Sequence, residues 1–128
     1  LLDVTEAIDG EHVLIVDDDL ELLEVFSALI ERKGHRVTTV SNGNATFGVM
    51  QTDPPDLVLL DMGLPDLHGL EVHKQLQVVA PNLPILVLTG TESLEPQLKE
   101  AGIRYRFKPV PKDELLALVD ELTANTAQ

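Results

Sequence analysis

The sequence predicts an α/β fold in which a doubly wound, five-stranded parallel sheet is flanked by five helices. Two observations lead to this fold class. Five short apolar runs alternate with longer segments of helical periodicity, and strands that alternate with helices form parallel sheets with right-handed crossovers. The chain has 128 residues, 44% of them hydrophobic, which suits one domain with one core.

The first half of the chain contains two strand and helix pairs. His12–Val16 is short, apolar and β-branched, and is predicted as a buried strand. Apolar residues then recur at helical spacing as far as Lys33-Gly34, which predicts the end of the helix. Arg36–Val40 alternates in polarity like a second strand. A weaker helical pattern covers Ala45–Gln51 and stops before Pro54-Pro55.

The second half contains three further strands. Leu57–Leu60 and Ile85–Leu88 are wholly apolar, as expected of strands that are buried on both faces, and Tyr105–Phe107 is a brief fifth strand. The three helices between and after these strands are predicted from apolar positions within Val72–Val79, Leu94–Ala101 and Leu115–Leu122.

The two termini lie outside the predicted domain. Residues 1–10 show no clear period and end in Gly10, as a lead-in or linker does, and residues 125–128 form a tail. The domain is therefore expected to cover residues 11–124. Because the chain begins with Leu1 and stops soon after the last helix, we expect a carboxyl-terminal domain of a larger protein.

Composition excludes several classes of function. Acidic residues number 22 against 9 basic ones, a net charge of −13, so we expect no direct nucleic-acid partner, because phosphate neutralisation needs clustered cations. No apolar run approaches the ~18 residues of a membrane helix, and no signal peptide pattern is present. The chain has no Cys, which excludes thiolate metal sites and cysteine nucleophiles. We expect a soluble, cytoplasmic protein with no membrane partner.

Polar residues directly follow four of the five predicted strands. They are Asp17, Asp18 and Asp19 after the first, Asp61 after the third, Thr89 after the fourth and Lys108 after the fifth. The carboxyl ends of parallel strands meet at one edge, where ligands bind. Crowded carboxylates repel one another unless a hard cation such as Mg²⁺ neutralises them. Lysine and threonine donors suit phosphoryl oxygens, so the set predicts a metal site beside a nucleophilic carboxylate.

Four segments around these residues resemble the receiver domain of bacterial two-component response regulators in order and spacing: VLIVDDD, DLVLLDMGLPDLHGLEV, LPILVLTG and YRFKPV. The resemblance covers His12–Leu122. It implies a flavodoxin-like fold with strand order 2-1-3-4-5 and a phosphorylation-controlled signalling function. It also implies that the domain is not an enzyme and catalyses only its own phosphorylation and dephosphorylation.

The resemblance implies a role for each acidic residue of the set. Asp61 resembles the phospho-acceptor, which receives a phosphoryl group from a histidine kinase or a histidine phosphotransfer domain. Asp17 and Asp18 resemble the acidic pair that holds Mg²⁺ together with Asp61. The backbone carbonyl of Gly63 completes the implied metal ligands.

The same resemblance implies how the site responds. Thr89 and Lys108 resemble the switch hydroxyl and the phosphate-binding lysine, and Tyr105 resembles the aromatic residue that turns inward when Thr89 moves to the phosphoryl group. The Lys108-Pro109 bond is expected to be cis. The segment between Thr89 and Lys108 is shorter than is common in the family, which shortens the fourth helix. A homodimer through the face of the fourth and fifth helices is a further expectation.

Two other functions remain open from the residues. Asp17, Asp19, Thr89 and Lys108 match the order of catalytic residues in haloacid-dehalogenase-like phosphatases, although Glu21 stands where that family has Thr or Val. A receiver-like interaction module that is not phosphorylated is the second alternative. Asp19 is also predicted to cap the first helix.

Overall fold

The computed structural model describes residues 10–124, which form a five-stranded parallel sheet with the strand order β2-β1-β3-β4-β5. The strands are β1 (His12–Val16), β2 (Arg36–Val40), β3 (Leu57–Asp61), β4 (Ile85–Thr89) and β5 (Tyr105–Phe107). The helices are α1 (Leu20–Glu31), α2 (Gly43–Thr52), α3 (Gly69–Val79), α4 (Glu95–Glu100) and α5 (Lys112–Ala124). The predicted fold class and strand order are confirmed.

The sheet buries both of its faces, and this explains why three of its strands are continuous apolar runs. All residues of β1, β3 and β4 are buried. Alternate side chains point to opposite faces, so Val13 and Ile15 pack with α1 and α5, whereas Leu14 and Val16 pack with α2, α3 and α4. The edge strands β2 and β5 are partly exposed.

Helix α2 begins at Gly43, earlier than the predicted Ala45, because its amino end is capped twice. The Asn42 side chain accepts a hydrogen bond from the Ala45 amide at 2.8 Å. The carboxylate of Asp66 accepts two more, from the amides of Gly43 at 2.7 Å and Asn44 at 2.9 Å. A cap supplied from the loop after β3 cannot be predicted from local sequence, since it joins distant segments.

The segment predicted as one short helix over Leu94–Ala101 consists of a 3₁₀ turn, Glu92–Leu94, followed by the six-residue helix α4. The chain leaves α4 through Gly102, whose φ of 70° lies in the left-handed region that favours glycine. Buried Leu98 and Ile103 fix the helix against the sheet.

Three predictions about the ends and surface of the domain have different outcomes. Residues 1–9 and 125–128 lie outside the described part of the chain, so the domain limits stay predictions. The Lys108-Pro109 bond is cis, as the resemblance implied. Between residues 10 and 124, no helix is both long and apolar enough to span a membrane.

Candidate functional site

The strand-end residues converge at the carboxyl edge of the sheet. Asp61 is the last residue of β3 and Thr89 the last of β4, while Asp17 follows β1 and Lys108 follows β5. Strands β1 and β3 are neighbours, and Val16 pairs with Leu60, so the next residues along each strand, Asp17 and Asp61, lie side by side. Topology alone thus brings the predicted residues together.

Lys108 bridges two of the carboxylates. Its Nζ donates hydrogen bonds to Asp17 Oδ2 at 2.7 Å and to Asp61 Oδ1 at 3.0 Å. All three side chains are largely withdrawn from solvent, with exposed side-chain fractions of 23% for Lys108, 3% for Asp17 and 10% for Asp61. Charge-assisted hydrogen bonds in such surroundings are short and strong, and they hold the three groups in a fixed arrangement.

Backbone amides occupy the remaining oxygens of the two carboxylates. The Gly63 amide donates to Asp61 Oδ2 at 3.2 Å, and the Asp19 amide donates to Asp17 Oδ1 at 2.9 Å. Asp19 itself caps α1, since its side chain accepts from the Leu22 amide at 3.1 Å; this was predicted. Both buried carboxylates are therefore oriented by one lysine and one backbone donor each.

The surroundings of Asp61 and Lys108 shift the pKa of both side chains. Burial raises the pKa of Asp61 above its usual value, although Lys108 opposes this; the neighbouring charge of Asp17 raises it further. Burial lowers the pKa of Lys108, but its bonds to Asp17 and Asp61 outweigh that effect, so the net pKa of the lysine is raised. Lys108 therefore stays charged, whereas ionisation of Asp61 costs more free energy than it does for a carboxyl group in water.

Three carboxylates at this edge have the geometry of a cation site. One oxygen each of Asp17, Asp18 and Asp61 lie within 4.8 Å of one another. Lys108 contacts two of the three, so the cluster keeps an excess of negative charge. Hard oxygen ligands at this spacing fit Mg²⁺, which needs few protein ligands because it retains several waters. The fourth predicted ligand, the carbonyl of Gly63, stays a prediction.

The hydroxyls of the two predicted switch residues have different hydrogen-bond partners. Thr89 is 1% exposed, and its hydroxyl accepts a hydrogen bond from the Thr91 amide at 3.0 Å. Tyr105 is partly exposed, and its hydroxyl donates a hydrogen bond to the carboxylate of Glu95. The Tyr105 ring also meets Phe107 edge-on, with 5.6 Å between ring centroids.

Sequence reasoning missed Glu95 and Asp66 as residues that support the site. Glu95 holds Tyr105 from the start of α4, and Asp66 ties the loop after Asp61 to the start of α2. Both contacts depend on how separate elements are placed, and neither residue follows a strand or fits a periodic pattern. No local signal in the sequence could have identified them.

An open cavity of about 540 Å³ adjoins the cluster, between α1 and the residues after β5. Leu22, Val25 and Phe26 of α1 line one side, and Lys108-Pro109 and Val110 line the other. A largely apolar surface that also includes Lys108, Asp19 and Glu21 is suited to contact with another protein.

The sequence matches one protein family over most of its length. The family model described as the response regulator receiver domain matches residues 13–120. TcrX of Mycobacterium tuberculosis, named a probable transcriptional regulatory protein, is 33% identical over 123 residues, which cover 92% of this chain and 53% of TcrX. The response regulator MprA of Mycolicibacterium vanbaalenii is 36% identical over 118 residues, which cover 90% of this chain and 51% of MprA.

Solved structures agree with the family match. A receiver domain protein described as CheY-like, from Methanospirillum hungatei, is 27% identical with a TM-score of 0.85 and covers 93% of this chain and 98% of its own. The receiver domain of the Francisella response regulator 1452 is also 27% identical, with a TM-score of 0.82, and covers 91% of this chain and 99% of its own. The receiver domain family therefore accounts for the strand-end residues without the alternative of a haloacid-dehalogenase-like phosphatase.

The expectation of no direct nucleic-acid partner is wrong as a statement about the protein class. This chain spans about half of the length of TcrX and MprA, and 28% of ZraR from Klebsiella oxytoca, and TcrX and ZraR are named transcriptional regulatory proteins. The net charge of −13 counts only these 128 residues. It says nothing about the charge of residues that longer relatives carry elsewhere.

Proposed function

Because the chain belongs to the response regulator receiver domain family, we propose that it accepts a phosphoryl group on Asp61 from a histidine kinase or a histidine phosphotransfer domain. The observation that carries the proposal is the fixed Asp61 carboxylate, which receives hydrogen bonds from Lys108 and from the Gly63 amide inside an acidic cluster. Domains of this family are generally not enzymes, and the reaction proposed here modifies the domain itself.

In the proposed reaction, a carboxylate oxygen of Asp61 attacks the phosphorus of the donor phosphohistidine. An O–P bond forms while the N–P bond breaks, and its electron pair stays on the imidazole nitrogen of the donor. Lys108 already lies 3.0 Å from Asp61 Oδ1, so it is close enough to exchange that contact for a phosphoryl oxygen while it keeps Asp17. Mg²⁺ held by Asp17, Asp18 and Asp61 would supply further positive charge to the phosphoryl oxygens.

Phosphorylation is proposed to switch the domain through Thr89 and Tyr105. Thr89 lies at the end of β4, next to β3, which carries Asp61, and its hydroxyl is bonded only locally, to the Thr91 amide. A phosphoryl group on Asp61 offers this hydroxyl a charged acceptor. Movement of the Thr89 side chain toward this acceptor would leave room on the same sheet face for Tyr105 to turn inward.

The donor protein is proposed to dock over α1. A phosphohistidine must reach bonding distance of Asp61, so its carrier has to cover the surface beside Lys108. The cavity lined by Leu22, Val25, Phe26 and Pro109 adjoins that lysine. The transcriptional role in the names of relatives is proposed for the whole protein that contains this domain, and a cytoplasmic location stays a prediction from the sequence.

Intact-mass measurement after incubation with acetyl phosphate and Mg²⁺ tests the proposal. We expect one added phosphoryl group in the wild type and none in Asp61→Asn. Asp113→Asn, a change at an exposed position of α5, is the matched control and should be labelled like the wild type.

Other outcomes would assign a different function. Labelling that persists in Asp61→Asn would place the acceptor elsewhere. A wild type that is never labelled would favour the unphosphorylated interaction module. Steady phosphate release from unrelated phosphoesters such as p-nitrophenyl phosphate would favour a phosphatase.

A further inference from the structure

The hydroxyl of Tyr105 is held by a charged partner on a different element. It donates a hydrogen bond to Glu95 Oε2, and Lys99 Nζ lies 3.8 Å from the same oxygen, one turn further along α4. The Glu95 side chain is 37% exposed, so water screens this contact only in part. A phenol bonded to a carboxylate forms a charge-assisted bond, which is stronger than a bond between neutral groups.

The shortened α4 fixes Glu95 in this position. Glu95 is the first residue of the helix, and the buried side chain of Leu98 anchors the same short segment in the core. The Ile103 amide donates to the Leu98 carbonyl at 2.9 Å, which closes the turn that leads from α4 to β5 and Tyr105. Glu95 therefore presents its carboxylate from a helical segment that Leu98 anchors in the core.

Thr89 and Tyr105 share one face of the sheet. Val87 of β4 pairs with Tyr105 of β5, and Thr89 lies two residues further along β4. Residues two apart on a strand point to the same side, so Thr89 and Tyr105 both face the layer that contains α4. In the proposed switch, the Tyr105 hydroxyl leaves Glu95 when the ring turns toward the position of Thr89.

We infer that Glu95 is a positioning residue that stabilises the outward arrangement of Tyr105 and thereby opposes the phosphorylated state. The inference rests on the proposed function of Asp61 and adds a residue that regulates that site. A contact made in only one of two conformations shifts the equilibrium toward that conformation. By thermodynamic linkage, if the contact between Tyr105 and Glu95 weakens binding at Asp61, then binding at Asp61 weakens that contact by the same factor.

Tyr105 provides a direct readout of the contact. It is the only Tyr in a chain without Trp, so ultraviolet absorbance and fluorescence of tyrosine report on this residue alone. The hydrogen bond to Glu95 raises the pKa of the Tyr105 phenol, and burial adds to the increase. Spectrophotometric titration of the phenol therefore measures the contact without any phosphorylation.

The experiment compares the wild type with Glu95→Ala and with Glu100→Ala, an exposed glutamate of the same helix, as the matched control. We expect the phenol of Glu95→Ala to titrate at lower pH than the wild type. We also expect Glu95→Ala to bind beryllofluoride, which mimics a phosphoryl group on a carboxylate, about 3- to 10-fold more tightly in the presence of Mg²⁺, the range for one partly exposed charged hydrogen bond. Glu100→Ala should match the wild type in both measurements.

A double-mutant cycle separates this role from general destabilisation of α4. Tyr105→Phe removes the hydroxyl but keeps the ring, so it should also bind beryllofluoride more tightly than the wild type. Adding Glu95→Ala to Tyr105→Phe should then change the affinity no further, because the two residues act through one bond.

Each outcome decides between the alternatives. Equal beryllofluoride affinity in the wild type and Glu95→Ala, or an effect of Glu95→Ala that persists in Tyr105→Phe, overturns the inference and leaves the proposed function intact. Failure of the wild type and every variant to bind beryllofluoride overturns the proposed function, and the inference falls with it.

Discussion

Asp61 is held in surroundings that disfavour its own charge. Burial and the neighbouring charge of Asp17 raise its pKa, so Asp61 contributes most to stability when protonated, and that contribution is lost as pH rises through its raised pKa. At neutral pH, in the absence of Mg²⁺, ionised Asp61 therefore lowers the stability of the fold. This is the cost of burying a carboxylate, the proposed nucleophile, at the sheet edge.

Replacing Asp61 with Asn should therefore stabilise the metal-free domain. We expect a gain of about 1 kcal/mol in the free energy of unfolding at pH 7, since Asn removes the buried charge while Lys108 keeps its 2.7 Å bond to Asp17. The gain should shrink as pH falls, because protonated Asp61 is also neutral. Thermal unfolding of both proteins between pH 4 and pH 8 in the presence of EDTA measures this difference.

Mg²⁺ should make the wild type more stable than Asp61→Asn, which reverses the order expected without the metal. A ligand that binds only the folded state at a hundredfold excess over its Kd adds about 2.7 kcal/mol. We expect this gain in the wild type and a smaller one in Asp61→Asn, which lacks one carboxylate of the cluster. A wild-type melting temperature that does not respond to millimolar Mg²⁺ would contradict the metal site.

At the scale of elements, the loop after β3 is tied to α2. The Asp66 carboxylate accepts hydrogen bonds from the amides of Gly43 and Asn44, and these bonds lower the pKa of Asp66. A lowered pKa means that Asp66 stabilises the fold above the pKa it has in the unfolded chain, and that this contribution is lost as pH falls through the lowered value. The loop that follows Asp61 and the amino end of α2 are thus stabilised by one ionised side chain.

Substitution of Asp66 with Ala should lower the midpoint of urea unfolding at pH 7. The loss should become smaller at acidic pH, where the wild-type carboxylate is protonated and has lost its charge but keeps an acceptor oxygen. Asp66→Asn keeps an acceptor oxygen without the charge and should fall between the two. An Asp66→Ala variant as stable as the wild type at pH 7 would show that the cap contributes nothing.

The sequence predicted those elements whose pattern is set by the sheet itself. Strands β1, β3 and β4 are buried on both faces, so they are continuous apolar runs, and their carboxyl ends necessarily bring Asp17 and Asp61 together. The start of α2 and the partner of Tyr105 could not be predicted. They depend on Asp66 and Glu95, whose contacts join elements across the fold.

At the scale of the whole molecule, the residues around Asp61 should govern how fast water removes a phosphoryl group from it. An aspartyl phosphate is cleared by in-line attack of water, which side chains near the acceptor can orient. Gly63 and Thr91 line a cavity of about 400 Å³ beside the loop that follows Asp61, the proposed acceptor. Gly63 has no side chain, and Thr91 offers only a hydroxyl, so neither provides a carboxylate or an amide to position the water.

The phosphorylated domain should therefore lose its phosphoryl group slowly, which suits a lasting signal. A Cβ at Gly63 would meet only Asp61 Oδ2, at an ordinary 3.7 Å, so Gly63→Asn can be introduced without a clash at that atom. A group that orients the attacking water is worth about 10²-fold in rate or more, so Gly63→Asn and Thr91→Glu should each shorten the phosphoryl lifetime, whereas Glu100→Ala should not. Intact-mass time courses after removal of acetyl phosphate measure these lifetimes. A wild type that is dephosphorylated within seconds, or lifetimes that neither substitution shortens, would show that the missing side chains do not control the duration of the signal.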